Sequence, residues 1–238
     1  MYTQAVQDAA ATAPRPEPGR SLERAGDRAY RLLRAEILDG VLPAGTVLLE
    51  VEQAARLGVS RTPLRSAVAR LVTDGLVAGR SGRGFSVTDL SVRSITELYE
   101  YREALEERAA SLAARAADRT AFEQLRGRFL AAPALLDQGE DGIRCYYALI
   151  DEFDAAIDAA VDNSFLVGAL GTVRTHLARI RRVARGNPVR LRAAAAEHLL
   201  ILDAIIDGDA ALAAHASHVH LHLSLASVLA VLDAGPST

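Results

Sequence analysis

One stretch constrains this chain more than any other: Gly58-Val59-Ser60-Arg61-Thr62-Pro63-Leu64-Arg65-Ser66-Ala67, continuing through Val68, Leu71 and Val72 to Asp74-Gly75-Leu76-Val77. It reads as a turn, a helix and a stop. Ser60 is placed to cap the helix by accepting a backbone N–H two or three residues on. Pro63 falls in the first turn, where its missing N–H costs least. Leu64, Val68, Leu71 and Val72 recur at helical spacing and predict one buried face. Arg61, Thr62 and Arg65 lie at the N-terminal end, off that face. A helix whose first turn offers Arg and Thr to solvent suits the DNA major groove, where Arg pairs with guanine and Thr reaches phosphate. A plain surface helix with two solvated arginines fits that segment taken alone.

The flanks decide between these readings. Asp27 to Leu38 predicts a helix with Ala29, Leu32, Leu33, Ile37 and Leu38 as its apolar stripe, ended by Asp39-Gly40. Leu42-Pro43-Ala44-Gly45 is a turn and Thr46 to Leu49 a short strand. Glu50 to Leu57 is a second helix, with Val51, Ala54, Ala55 and Leu57 inward, closed by a left-handed Gly58. After the third helix, Leu76 to Gly79 and Gly84 to Thr88 form a hairpin whose tip, Arg80-Ser81-Gly82-Arg83, is basic and glycine-rich. Helix, strand, helix, helix, hairpin is the order of a winged helix-turn-helix. Its tip lets backbone and Arg83 approach phosphates or the minor groove.

Charge supports local rather than bulk attraction to DNA. The 238 residues carry a net charge of −3. Residues 1–90 hold 12 Arg against 10 acids, and residues 91–238 hold 15 Arg against 20. Binding to a polyanion therefore rests on where the arginines sit. Half of the residues are hydrophobic but only 5% are aromatic, so the core is built from Ala, Leu, Val and Ile. The single Cys145 excludes an internal disulfide and a thiolate zinc cluster. No signal-peptide pattern or membrane-length apolar run is expected, which points to a soluble bacterial protein of the cytoplasm with no membrane partner. Residues 1–20, with three prolines close together, predict a disordered tail.

Residues 27–90, within a head domain expected over 21–90, resemble the DNA-binding domain of the GntR family of bacterial regulators. Ile37-Leu38-Asp39-Gly40, Leu42-Pro43-Ala44-Gly45, Leu57 to Arg65, Leu71, Gly75-Leu76-Val77 and Arg83-Gly84 carry the likeness. The resemblance implies operator contacts by Ser60, Arg61, Thr62 and Arg65 in the helix and by Gly82, Arg83 and Gly84 at the wing tip.

Residues 91–238 read as all helix. Ser94-Ile95-Thr96-Glu97 and Thr120-Ala121-Phe122-Glu123 have capping-box spacing and predict helices to about Ala117 and Asp137. Leu98, Tyr101, Leu105, Ala109 and Leu112 make the first core stripe. Helices follow over 143–161, 164–185, 188–207 and 209–232, with stops at Gly186-Asn187-Pro188 and Gly208. The fold class is therefore an N-terminal winged helix-turn-helix (α+β) joined to an all-α bundle.

Six histidines stand at 176, 198, 215, 218, 220 and 222, and Asp151, Asp154 and Asp158 share one helix face. Imidazoles and carboxylates converging in a bundle suit a divalent metal, while histidines held by hydrogen bonds beside a solvated acidic face need none. The bundle resembles the FCD effector and dimerisation domain of the FadR-type branch, through Arg102 with Leu105-Glu106, Phe153, Ile157, Asn163 with Leu166, Glu197-His198, Asp207 and His220-Leu221. Many FCD domains hold a metal with one Asp and three His. Here His198 and His220 match, Asp154 stands where that pattern has His, and Ile150 where it has Asp. Three arrangements follow. Asp154, His198 and His220 hold zinc or nickel with water or an effector carboxylate; Asp151 swings in as a substitute; or the site is metal-free and the two histidines meet an effector directly. The resemblance also implies an effector site at Arg102, Asn163, His198 and His220, in which Arg102 holds a small carboxylate bidentately unless it only pairs with Glu106. His215, His218 and His222 are expected near solvent or a dimer surface, and His176 in the core or at the surface.

The expected function is a ligand-responsive regulator, a repressor in its commonest form, whose homodimer places two recognition helices on a palindromic operator. A direct metal sensor is the alternative, and a helical metal hydrolase a third reading. No nucleophile–base pair, phosphate loop or dinucleotide fingerprint supports the last.

Overall fold

A computed structural model describes residues 24–80, 84–116, 118–184 and 187–234. The head comprises α1 (Ala25–Leu38), β1 (Val47–Leu48), α2 (Glu50–Leu57), α3 (Arg61–Thr73), β2 (Val77–Gly79) and β3 (Phe85–Val87). The sheet is antiparallel with order β1-β3-β2, and the register pairs Leu48 with Phe85 and Val77 with Val87. Gly58, at φ 62°, ends α2 in the left-handed conformation and turns the chain into α3. Leu64, Ala67, Val68 and Leu71 form the buried side of α3, while Ala29, Leu33 and Ile37 form that of α1. Val72 is 41% exposed, which corrects the expected stripe. The position of Ala67, between Leu64 and Leu71, takes the inward face instead. Val51 and Leu32 are likewise exposed, because the short α2 and α1 bury narrower faces than their composition suggests.

The bundle comprises α4 (Val92–Ala113), α5 (Thr120–Leu130), α6 (Ala132–Leu136), α7 (Glu140–Ala160), α8 (Ser164–Ala184), α9 (Pro188–Asp207) and α10 (Ala210–Asp233). The expected helix over 120–137 is two helices, since Pro133 lies in the first turn of α6 and cannot continue α5 through its own N–H. Capping differs from the motif reading. Ser91 caps α4, accepting from Ser94 N at 3.2 Å, and Asp118 Oδ1 accepts Thr120 N at 2.9 Å. Ser60 occupies the N-cap position of α3 with no side-chain capping bond. Asn187 and Asp209 cap α9 and α10, and Gly208, at φ 77°, closes α9.

Ala210–Asp233 is long and apolar enough to cross a membrane, with mean hydropathy 1.2, contrary to the expectation that no segment would be. Its apolar character has a bundle explanation in part, because Ala213, Ser217, His220, Leu221 and Val228 are buried against neighbouring helices. Three clusters of buried side chains result: one in the head, one in the bundle, and a smaller one where Ile95 and Tyr99 of α4 meet Val173, Leu177 and Ile180 of α8 and Val228 of α10.

Candidate functional site

The first turn of α3 stands out from the head. Ser60, Arg61, Thr62 and Arg65 are all exposed. Both guanidinium groups converge on Glu50 at the start of α2: Arg65 Nε lies 2.9 Å and Arg61 NH2 3.3 Å from Oε2. Hydrogen bonds from Arg65 and then Arg61 hold the Glu50 carboxyl below its ordinary pKa. The pairs are open to solvent, with both arginine side chains 60% exposed. Pairs so open to solvent contribute little to stability and exchange readily for other anions. Arg80 N donates to Gly84 O at 3.2 Å to close the hairpin, and Gly84 takes φ 152°, a value that favours glycine. Gly82 and Arg83 lie outside the described residues.

A cavity of about 110 Å³ opens inside the bundle, walled by α4, α7, α8, α9 and α10. His198 and His220 sit side by side on its wall, ring centroids 4.4 Å apart. His198 is wedged against the rings of Phe129 and Phe153. Its Nδ1 lies 2.7 Å from Ala194 O, an acceptor only, so Nδ1 carries the proton and Nε2 keeps its lone pair. His220 Nδ1 donates to Glu197 Oε2 at 2.7 Å, which leaves Nε2 in the same state. Burial lowers the pKa of both rings, His198 well below its ordinary value with the neighbouring His220 adding to the effect. Burial thus favours the neutral form of each ring.

The charged lining is arranged in buried pairs. Arg102 donates from Nε to Glu106 Oε1 at 2.8 Å and lies over the Tyr99 ring at 4.6 Å. Arg190 grips Glu197 with both terminal nitrogens, at 2.6 and 2.8 Å. Burial opposes ionisation of Glu197, but the hydrogen bonds from His220 and Arg190 outweigh it and hold its pKa low. Asp154 Oδ2 lies 3.3 Å from Arg174 Nε and 3.7 Å from Arg181 NH2. Burial still dominates there and pushes the Asp154 carboxyl up to about 6. Tyr146, fully buried on the wall, has a hydroxyl without a hydrogen-bond partner among the described residues, and burial raises its pKa.

Helix α8 forms one wall of this cavity through Leu177, Ile180 and Arg181. Its other side holds the head. Arg179, 5% exposed, donates to Thr88 Oγ1 at 2.9 Å and to Thr88 O at 2.6 Å. Arg34 NH2 donates to Thr175 Oγ1 at 3.1 Å. Gly75, at φ 71°, lies so close to His176 that a Cβ there would stand 2.9 Å from Nε2.

Residues 25–87 match the gntR family of bacterial regulatory proteins, and residues 97–223 match the FCD domain. The chain belongs to the GntR family. Over 186 residues, 78% of this chain and 80% of the relative, it is 34% identical to a protein named as the probable D-xylose utilization operon transcriptional repressor of Paenarthrobacter nicotinovorans. It is 26% identical over 192 residues to the transcriptional repressor RspR of Escherichia coli, covering 80% of this chain and 83% of that one. The fold is that of E. coli McbR/YncC, with a TM-score of 0.68, 20% identity, and coverage of 87% and 97% of the two chains. Like its relatives, this GntR protein is a transcriptional regulator and not an enzyme, which removes the hydrolase reading.

Within this GntR regulator the sequence-derived site residues separate into two groups. Arg102, Asp154, His198 and His220 all line the cavity. Asn163 does not: its Oδ1 accepts Phe165 N and Leu166 N at 3.1 Å each and so starts α8. Asp151 is 71% exposed and bonded to Arg181 NH1 at 3.0 Å. A metal fits this donor set poorly. Among the described residues, the ligand atoms of Asp154, His198 and His220 do not gather within 4.8 Å of one another, and those of Glu103, Glu107 and His218 do. That second group is a surface ion pair, with His218 Nδ1 2.8 Å from each glutamate and its pKa raised chiefly by the bond to Glu107. Tyr146, Arg179 and Arg181 were invisible to motif reading. In the sequence Arg179 looks like any solvated arginine, among Thr175, His176 and Arg182, until the fold places Thr88 beside it.

Proposed function

We propose that this GntR regulator binds a palindromic operator as a homodimer and represses until a small organic acid enters the bundle cavity. The division into a DNA-reading head over 21–90 and an effector and dimerisation bundle over 91–238 belongs to the same reading. Ser60, Arg61, Thr62 and Arg65 read the operator, with Gly82, Arg83 and Gly84 at the wing. Arg102, His198 and His220 meet the effector. The regulator acts where its operator is, in the bacterial cytoplasm.

One observation carries this reading: α8 touches the cavity on one side and the head on the other. Leu177, Ile180 and Arg181 face the cavity, while Thr175 and Arg179 hold Arg34 and Thr88. An effector that shifts α8 changes how the head is held, and it couples to DNA only if it binds the two head positions with different affinity. Support for self-association comes from α10, whose Leu212, Val219 and Leu223 are 51%, 49% and 43% exposed on one stretch. The test is fluorescence anisotropy on the upstream DNA of the protein's own gene, with a panel of organic acids added. The expected result is saturable binding, two chains per site, and release by at least one acid. Binding to DNA that no acid alters would sink the effector part.

A further inference from the structure

We infer that Glu103 and Glu107 of α4 and His218 of α10 form a zinc site on the outside of the bundle, apart from the cavity, where the ion ties the two helices together. The inference does not depend on the effector reading, and its failure leaves that reading standing.

The spacing of the donors is the first ground. Glu103 and Glu107 are four residues apart on α4 and so share one face. His218 and His222, both exposed, are four apart on α10, the spacing by which two imidazoles of one helix reach a single zinc ion. The fold brings these two helices together as antiparallel neighbours. Tyr99 Oη lies 3.0 Å from Ser224 Oγ, and farther along α4 the two glutamates stand beside His218, earlier in α10.

The geometry is the second ground. His218 Nδ1 lies 2.8 Å from a carboxylate oxygen of each glutamate, and the three ligand atoms all fall within 4.8 Å of one another. Zinc bonds of about 2.0–2.2 Å at tetrahedral angles separate ligand atoms by roughly 3.4 Å, so the carboxylates need to give by only about half an ångström. The ion takes the place of the Nδ1 proton, which leaves to solvent, and it gains one nitrogen and two anionic oxygens. A fourth position is left for His222 or water. Imidazole with carboxylate is a donor set for zinc rather than for calcium or magnesium, which take oxygen alone.

The electrostatics are the third ground. The 27 basic residues, all arginine, hold most of the acids packed between helices, among them Glu36, Glu50, Glu106 and Glu197. Among the described residues, neither Glu103 nor Glu107 is bonded to an arginine, and His218 is their shared partner. Two carboxylates four residues apart on one helix repel each other, and a dication between them removes that repulsion. The cavity differs, since Asp154 there faces Arg174 and Arg181. All three side chains of the outer cluster are partly open to solvent, so an ion reaches them without opening the bundle. The same two helices wall the cavity through Arg102, Glu106 and His220, and an ion that fixes the α4–α10 seam stiffens that wall.

The experiment is calorimetric titration of zinc into the full chain, treated with EDTA and then freed of it, with melting curves recorded with and without zinc. The expected result is one zinc per chain and a higher melting temperature when it is bound. His218→Gln and Glu103→Gln/Glu107→Gln bind zinc more than about tenfold more weakly, since even a group that only supports a ligand is worth roughly 10- to 100-fold. These positions are on the surface, so both variants melt near wild type without zinc and lost binding is not lost folding. A wild type that binds no zinc overturns the inference. Wild-type affinity in His218→Gln overturns it too, because the ion then sits elsewhere, the cavity histidines included. Half an equivalent per chain overturns it in favour of an ion shared between two copies. Stoichiometric zinc that leaves the melting temperature unchanged overturns the tie between α4 and α10.

Discussion

The recognition helix and the bundle cavity use the same pair of groups, arginine and carboxylate, in opposite ways. On α3, Arg61 and Arg65 share Glu50 in the open, with 60% of each arginine side chain exposed. In the cavity wall, Arg102 and Glu106 are 7% and 24% exposed, and Arg190 and Glu197 are 16% and 11%. An exposed pair contributes little to stability and is easily traded for another anion. A buried pair costs desolvation to form and much more to break on one side. The α3 arginines are therefore free to trade Glu50 for another anion, whereas the charged groups of the cavity wall are already committed to partners.

The sharpest way to break the comparison is to delete one cation from each region. Arg102→Ala leaves Glu106 buried without its partner and should lower the unfolding free energy by about 3–5 kcal/mol in urea titrations. If it costs less than the exposed pairs do, the cavity wall is not preset by buried charge. Arg65→Ala should leave stability within about 0.5 kcal/mol of wild type and weaken operator binding by about 1–3 kcal/mol, measured by anisotropy at fixed salt.

A smaller effect follows from pH. Asp154 is pushed up to about 6, chiefly by burial, against the pull of Arg174, Arg181 and Arg102 and with help from Glu106. Because its folded pKa lies above its unfolded value, its contribution to stability is complete below about pH 4 and is lost as pH rises through 6. Melting curves of wild type relative to Asp154→Asn between these limits should diverge by about 1–2 kcal/mol, an amount reduced because a fifth of the side chain still meets solvent. The proposed anion binding in the cavity should weaken over the same range, as the carboxylate ionises. Identical pH profiles for the two proteins would remove Asp154 from the account. The smallest expected effect is that of Glu50→Gln, which changes stability by less than about 1 kcal/mol and steepens the salt dependence of non-specific DNA binding by freeing two arginines. An unchanged salt slope would mean that Glu50 does not restrain them.

The head was the more legible half in sequence. Its short elements are punctuated by Gly58, Gly75 and Pro63, whose conformational limits act locally, so their order could be read directly. The exposure of Ser60, Arg61, Thr62 and Arg65 was legible for the same reason, since it follows from their place off the apolar face at the start of α3. The bundle was legible as helices but not in its joints: Pro133 splits α5 from α6, Ser91 takes the capping role assigned to Ser94, and α5 begins after Arg119 with Thr120 N donating to Asp118. In the cavity, Arg102, Asp154, His198 and His220 were found, and Tyr146, Arg181 and Arg190 were not. Whether Asp154 faces an imidazole or a guanidinium depends on α8 lying beside α7, a long-range packing fact with no local signature. Arg179 and Thr88, 91 positions apart, are hidden for the same reason.

The central claim is that α8 carries the state of the cavity to the head, and Arg179→Met tests it most directly. This variant keeps most of the buried stem and removes the two bonds to Thr88. Operator anisotropy is followed while the tightest-binding acid of the panel is titrated into wild type and variant. The account predicts that both bind operator and both bind the acid, but that only the wild type is released. Equal release of the two proteins at the same acid concentration would contradict it.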